Sequence, residues 1–228
     1  MPTPKTALII GASRGLGLGL VKQLLDDGWD VTATVRDPQK ADALKATGPV
    51  QIEKLDIDDQ HAVLALSQRL KDRTFDLLFV NAGIMGPANQ EPGHATLAEV
   101  GQLFFTNAVA PINLAQRFAG QIRKGNGVLA FMSSVLGSVA IPDGSNLALY
   151  KASKAALNSM TNSFITQLGD HQLTVLSLHP GWVKTDMGGE NAQIDVQTSV
   201  RGLVDQVNAY TGKGGHHFVD YKGDTITW

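Results

Sequence analysis

From end to end of this 228-residue chain, short apolar runs alternate with stretches that place an apolar residue at every third or fourth position. The runs are continuous rather than alternating, the pattern of strands in a parallel sheet covered on both faces. They predict strands over residues 5–10, 30–35, 50–55, 75–80, 128–132, 174–178 and 216–219. Helical spacing predicts helices over 15–27, 39–46, 59–72, 97–124, 147–168 and 197–210. In the first helix Leu16, Leu20, Val21, Leu24 and Leu25 form the apolar stripe, and Gly28 stands where a helix would stop. Strand and helix in regular turn imply an α/β fold. The expected form is one doubly wound, Rossmann-type parallel sheet of about seven strands, with right-handed crossovers and helices on both faces. No repeat, low-complexity tract or linker divides residues 1–228, so a single domain is expected. A ligand should sit beyond the carboxyl ends of the strands.

The turn between the first strand and the first helix reads Gly11-Ala12-Ser13-Arg14-Gly15-Leu16-Gly17. A glycine motif gains meaning in this strand–turn–helix setting. Gly11 permits the tight turn, Gly15 lets the backbone approach a pyrophosphate, and Gly17 lets the helix pack closely. Amides at the helix start, including those of Ser13 and Leu16, can face the anion. The spacing is G-x-x-x-G-x-G rather than the common G-x-G-x-x-G. Much later come Tyr150 and Lys154, four apart on the helix 147–168 and so on one face. The ammonium should favour the phenolate and lower the tyrosine pKa from its reference of about 10. Such a tyrosine can give a proton to a carbonyl oxygen or take one from an alcohol.

Choice between NAD and NADP should be readable at the end of the second strand. An acid there would bind the ribose hydroxyls and repel a 2′-phosphate, whereas an arginine would accept it. The chain has no acid where that strand ends, and Arg36 follows it directly. Arg14 supplies a second guanidinium in the glycine turn. NADP(H) is the expected cofactor. The competing reading of Arg36 is an ion pair with Asp37.

Taken in order, the glycine segment, Asp56 with Ile57, Asn81-Ala82-Gly83, Asn107, Ser134, Tyr150 with Lys154, and Pro180-Gly181-Trp182-Val183-Lys184-Thr185 resemble the short-chain dehydrogenase/reductase family. The likeness spans essentially the whole chain, and the short C-terminus resembles the C-factor and carbonyl-reductase branch. The resemblance implies a dinucleotide-binding domain over 1–228 and an NADPH-dependent carbonyl reductase. In such an enzyme Tyr150 protonates the carbonyl oxygen and Ser134 donates a hydrogen bond to it. Lys154 polarises the tyrosine and holds the nicotinamide ribose, and Asn107 anchors a water leading to Lys154. Asp56 and Ile57 would lie beside the adenine, Asn81, Ala82 and Gly83 beside the adenosine ribose. Pro180, Gly181, Val183 and Thr185 would bind the nicotinamide carboxamide. Plainer roles stand beside these: a helix cap for Asp56, a buried helix-bend amide for Asn107, a cap for Thr185. Ser138 competes with Ser134, which precedes Tyr150 by 16 positions where the family usually has 13. The turn 142–146 can absorb that excess, and Ser133 should point to the other side of the strand.

Loops 84–96, 136–149 and 187–195 should shape the substrate site, with Leu136, Trp182 and Met187 offering apolar contact in an open cleft. Two further functions are compatible with the motifs: an NAD-linked alcohol dehydrogenase, and a C-factor-like dinucleotide-binding signalling protein. A hydrophobic content of 43% suffices for one sizeable core, and a net charge of −2 gives no field for nucleic acid or an anionic membrane. The chain has no cysteine, hence no disulfide or thiolate chemistry. No apolar signal segment or run approaching ~18 apolar residues occurs. A cytoplasmic protein is expected, and by family resemblance a dimer or tetramer. His216-His217 lacks a third ligand, so no metal site is expected, and His179 reads as packing.

Overall fold

Along β1 (Thr6–Ile10) the side chains alternate between two cores. Ala7 and Ile9 enter one core with Leu20, Val21 and Leu24 of α1 (Gly15–Asp26) and Val200, Leu203 and Val204 of α7 (Val196–Tyr210). Leu8 and Ile10 enter the other, with Val63 and Leu66 of α3 (Gln60–Arg69), Phe118 of α5 (Ala110–Phe118), and Leu157 and Phe164 of α6 (Ala148–Leu168). The computed structural model describes residues 3–142, 144–169 and 173–228. Among them β1 joins β2 (Asp30–Val35), β3 (Val50–Lys54), β4 (Leu77–Val80), β5 (Val128–Met132), β6 (Thr174–His179) and β7 (Gly215–Asp220) in one sheet. The order is β3-β2-β1-β4-β5-β6-β7, and every pairing is parallel. This is the doubly wound α/β fold that the apolar runs predict. The order reverses between β1 and β4, which opens a crevice at their carboxyl ends.

Local signals set most boundaries. Gly28 adopts φ +80° just after the C-cap of α1, as its position predicts. Asp59 caps α3 by accepting from the N–H groups of His61 and Ala62, so Asp56 is not that cap. Thr96 and Glu99 form a capping box at the start of α4 (Leu97–Phe104).

Two expected helices come out differently. The stretch 39–46 is a 3₁₀ turn, Pro38–Lys40, followed by the single turn α2 (Asp42–Lys45). The stretch 97–124 is broken into α4, a π-helical turn at Phe105–Val109, α5, and a 3₁₀ turn at Ala119–Gln121. Pro111 explains the break: it has no N–H to give the carbonyl four residues back, that of Asn107. Phe75 contributes only an isolated bridge to Ile122, and β4 proper begins at Leu77. Asp143, within the turn expected to absorb the long Ser134–Tyr150 spacing, lies outside the described residues.

Candidate active site

At the end of β1 the backbone turns through Gly11, whose φ is +85° and whose N–H donates to Thr34 Oγ1 at 3.0 Å. Asn81 Nδ2 donates to the Gly11 carbonyl at 2.7 Å, tying the turn to the end of β4. Gly17 lies against both: a Cβ there would stand 2.1 Å from the Gly11 oxygen and 2.6 Å from Asn81 Nδ2. The residue before α1, Arg14, is extended and no side chain caps the helix, so its first N–H groups and positive end are left for an anion.

These groups border a cavity of about 730 Å³. Gly11, Ser13, Arg14, Gly15 and Leu16 line it from the glycine turn, and Arg36 from the end of β2. Asp56 and Ile57 line it beyond β3, and Asn81, Ala82 and Gly83 beyond β4. Tyr150, Lys154 and Thr185 line its other end. The alternative pairing of Arg36 with Asp37 is absent: Asp37 accepts from Gln39 N–H and lies 3.8 Å from Lys40, while exposed Arg36 has no ion pair among the described residues. Arg14 pairs with Asp186 across the cavity mouth, both side chains 72% exposed. An exposed pair of this kind contributes about 0–1 kcal/mol, little enough for a phosphate to displace it.

Six predicted residues do not line the cavity. Gly17 is the close-packing position described above. Gly181, at φ +82°, is hemmed in by Ile194 and Tyr221, and the Pro180 carbonyl accepts from Ser199 Oγ at 2.6 Å. Val183 is buried and bridges Ile194. Asn107 is fully buried in the π turn, accepting from Ile84 N–H and donating to the Ile84 carbonyl, both at 2.8 Å. Ser134 Oγ accepts from Leu136 N–H at 3.1 Å, while its O–H has no acceptor among the described residues. Ser133, just past β5, donates to Asn158 of α6 at 2.8 Å. Ser138 accepts from Ile141 N–H at 3.2 Å, and Thr185 Oγ1 from Gly188 N–H at 3.1 Å.

Of the apolar substrate contacts expected, Met187 lines the cavity; Trp182 and Leu136 do not. Trp182 Nε1 instead donates to the Gly188 carbonyl at 2.7 Å, stapling the segment after β6 to itself. His216 is half-buried: it bonds Ser177 and Asn162 and packs against Trp228. No cluster of three or more His, Cys, Asp or Glu placed for a metal occurs among the described residues, nor does a helix long and apolar enough to cross a membrane.

Sequence reasoning missed Asp58, Gln102 and Thr106, all on the cavity wall. Asp58 Oδ2 accepts from Gln102 Nε2 at 2.6 Å and Thr106 Oγ1 at 2.8 Å, while its buried Oδ1 has no partner among the described residues. Gln102 and Thr106, four apart on a helix, were legible as a pair; their meeting with Asp58 is tertiary.

Tyr150 is not acidified as its spacing from Lys154 predicts. Burial pushes the phenol up to about 12 from an ordinary 10.0, and pulls Lys154 down to about 8 from 10.5. Tyr150 is 9% exposed and Lys154 4%, and Lys154 Nζ donates to the Met132 carbonyl at 2.8 Å, 5.7 Å from the tyrosine ring centre. Desolvation of both groups therefore outweighs the charge of the neighbour. The Tyr150 hydroxyl has no hydrogen-bond partner among the described residues.

The depressed pKa of Lys154 couples folding to pH. Between pH 8 and 10.5 the unfolded lysine holds a proton that the folded one has lost, so folding becomes more favourable as pH rises through that window. Comparing thermal unfolding of the native chain and Lys154→Met at pH 7.5 to 10.5 should show the native chain gaining relative stability. A constant difference would mean that the lysine is not desolvated.

Short chain dehydrogenases as a family match this chain over residues 5–195. A short-chain dehydrogenase/reductase from Burkholderia multivorans, crystallised with bound NADP, is 37% identical with a TM-score of 0.94, covering 99% of this chain and 100% of that one. A carbonyl reductase from Pseudomonas aeruginosa, in complex with NADP, is 39% identical with a TM-score of 0.92, again covering 99% and 100%. The C-signal protein of Myxococcus xanthus is 32% identical over 154 residues, 67% of this chain and 92% of that protein. With its glycine turn, sheet order and Tyr150–Lys154 pair, the chain belongs to the short-chain dehydrogenase family.

Proposed function

We propose that the whole chain acts as one dinucleotide-binding domain that reduces an aldehyde or ketone to the alcohol with NADPH. One observation carries this reading: the uncapped start of α1, the unpaired Arg36 and the Tyr150–Lys154 pair share a single cavity. The fit to NADP(H) rests on residues present. The Gly17 position admits no side chain, the helix start offers free N–H groups, and Arg36 lines the cavity just past the end of β2, where no acid would repel a 2′-phosphate. Two neighbours that bind NADP, at 37% and 39% identity, support the same choice.

Bound reduced nicotinamide supplies the hydride for the carbonyl carbon. The rest falls to side chains. Tyr150, protonated at neutral pH, donates its proton to the carbonyl oxygen as negative charge develops there. Ser134 does not itself line the cavity but stands two residues past Met132, which does, and its unused O–H is the candidate second donor to the same oxygen; a preorganised donor of this kind is typically worth ~3 kcal/mol. Lys154, still largely an ammonium at pH 7, adds positive charge beside the phenol as the proton leaves.

The test is NADPH oxidation against a panel of aldehydes and ketones. Turnover of at least one class supports the reading. Tight NADPH binding with no turnover across the panel would favour a dinucleotide-dependent signalling role, the alternative raised by the C-signal similarity. For cofactor choice, Arg36→Asp should lower kcat/KM with NADPH by about 10–100-fold, the worth of a charge-assisted hydrogen bond, and change the NADH value little. An unchanged NADPH/NADH ratio would remove Arg36 from the phosphate site.

A further inference from the structure

The loop after β4 carries a buried amide that the reaction as described above does not use. Gln90 is 5% exposed, and Gln90 Oε1 accepts from the backbone N–H of Tyr150 at 2.9 Å. Helix α6 begins at Ala148 and its N-cap residue, Leu147, has no side-chain cap, so the first N–H groups need partners from outside the helix. Gln90 supplies one from a different loop. Its Nε2 donates to the carbonyls of Met85 at 3.1 Å and Pro87 at 2.6 Å, which holds the amide to residues 85–87. The other end of the same residue is held in a matching way. The Tyr150 carbonyl accepts from Ser153 Oγ at 2.7 Å, and Ser153 Oγ accepts from Asn107 Nδ2 at 3.0 Å. Asn107 is paired with both backbone groups of Ile84. The N–H and C=O of Tyr150 are thus both referred to the short segment 84–87, through two buried amides.

We propose that Gln90 is a positioning residue: a cap delivered in trans that fixes where Tyr150 stands relative to the cavity, and that tethers the loop 84–96 to the catalytic helix. The inference rests on the reading of Tyr150 as proton donor. An N–H left without this partner frays the first turn of α6, where Tyr150 is the third residue, and a displaced donor loses rate steeply with distance. Glycine or alanine scanning of exposed loop residues would not reveal it, because the side chain acts from beneath the loop.

Two variants separate the cap from the tether. Gln90→Met fills the same space and forms none of the three hydrogen bonds. Gln90→Glu keeps an acceptor for Tyr150 N–H and, ionised, gives up both donors to Met85 and Pro87. With NADPH and the best carbonyl substrate of the panel, Gln90→Met should lower kcat about tenfold, while the NADPH dissociation constant stays within about twofold. Gln90→Glu should recover most of that kcat but raise the KM for the carbonyl substrate, since its loop is unpinned. A folded Gln90→Met with native kcat would overturn the proposal, as would equal loss of kcat in both variants. If Gln90→Met does not fold, Gln90→Glu decides alone: near-native kcat with a raised KM supports the cap, and a tenfold loss of kcat overturns it. Tyr150→Phe is run alongside. If it remains active, the donor assignment itself fails; if it is inactive while Gln90→Met is native, only the role of Gln90 does.

Discussion

Tyr150→Phe is expected to cut carbonyl turnover by about 10²–10⁴-fold, the range for loss of a positioned general acid, and to leave the NADPH dissociation constant within about twofold. The ring is buried on the cavity wall and keeps its packing in the variant; what disappears is a hydroxyl that has no hydrogen bond to the protein among the described residues. No structural bond is therefore broken, and stability should change little. The loss should fall on kcat more than on KM, because the phenol interacts most strongly as charge develops on the substrate oxygen. Stopped-flow or steady-state NADPH oxidation, with cofactor binding followed by fluorescence, measures both quantities. Retained turnover would mean that another group, or water, protonates the substrate.

Gly17→Val should be the most damaging substitution in the glycine turn, and it acts on folding as well as on cofactor binding. The new Cβ would fall 2.1 Å from the Gly11 carbonyl oxygen and 2.6 Å from Asn81 Nδ2, and only 3.0 Å from the Ala12 Cα. Two of these three neighbours are backbone of the turn itself, so relief requires α1 to lift from the end of β1. Overpacking of this severity costs about 3 kcal/mol or more. It would also break the Asn81–Gly11 hydrogen bond and move the helix start away from the cleft. Expected results are a clear fall in thermal unfolding temperature and NADPH binding weakened at least about 100-fold, by loss of the helix-terminus site. Gly101→Ala is the control: a Cβ there meets nothing within 4 Å in the middle of α4, and alanine favours helix by about 0.5–1 kcal/mol. Equal behaviour of the two variants would show that the close approach at Gly17 is not needed.

The parts of the site that were readable in advance are those with a local cause. Gly11, Gly15 and Gly17 follow a buried strand and open a helix, and each is needed by backbone geometry within a few residues. The Tyr150–Lys154 spacing is a property of one helix. Readings that summed local trends over longer distances fared less well. The helix expected over 97–124 had the correct apolar period, but a single proline at 111 redirects the hydrogen bonds of the preceding turn and places Asn107 in a π geometry. Trp182 looked like a substrate contact because it is large and apolar, yet its indole N–H is spent on Gly188.

The pKa of the tyrosine shows the limit most clearly. Spacing puts a cation four residues from a phenol, and from spacing alone the phenol should become more acidic. Whether it does depends on how much water each group keeps, and that is set by strands and loops remote in sequence: Met132 takes the lysine's hydrogen bond and Gln90 holds the tyrosine's N–H. Periodicity and glycine placement, being short-range constraints on φ, ψ and on which face of an element is apolar, determined by themselves the strand–helix alternation, the glycine turn and the paired side chains on α6. Desolvation, the bridging of Tyr150 to residues 84–87, and the meeting of Asp58 with Gln102 and Thr106 were decided only by the tertiary structure, because they join segments 22 or more residues apart that the folded sheet and its helices bring into contact.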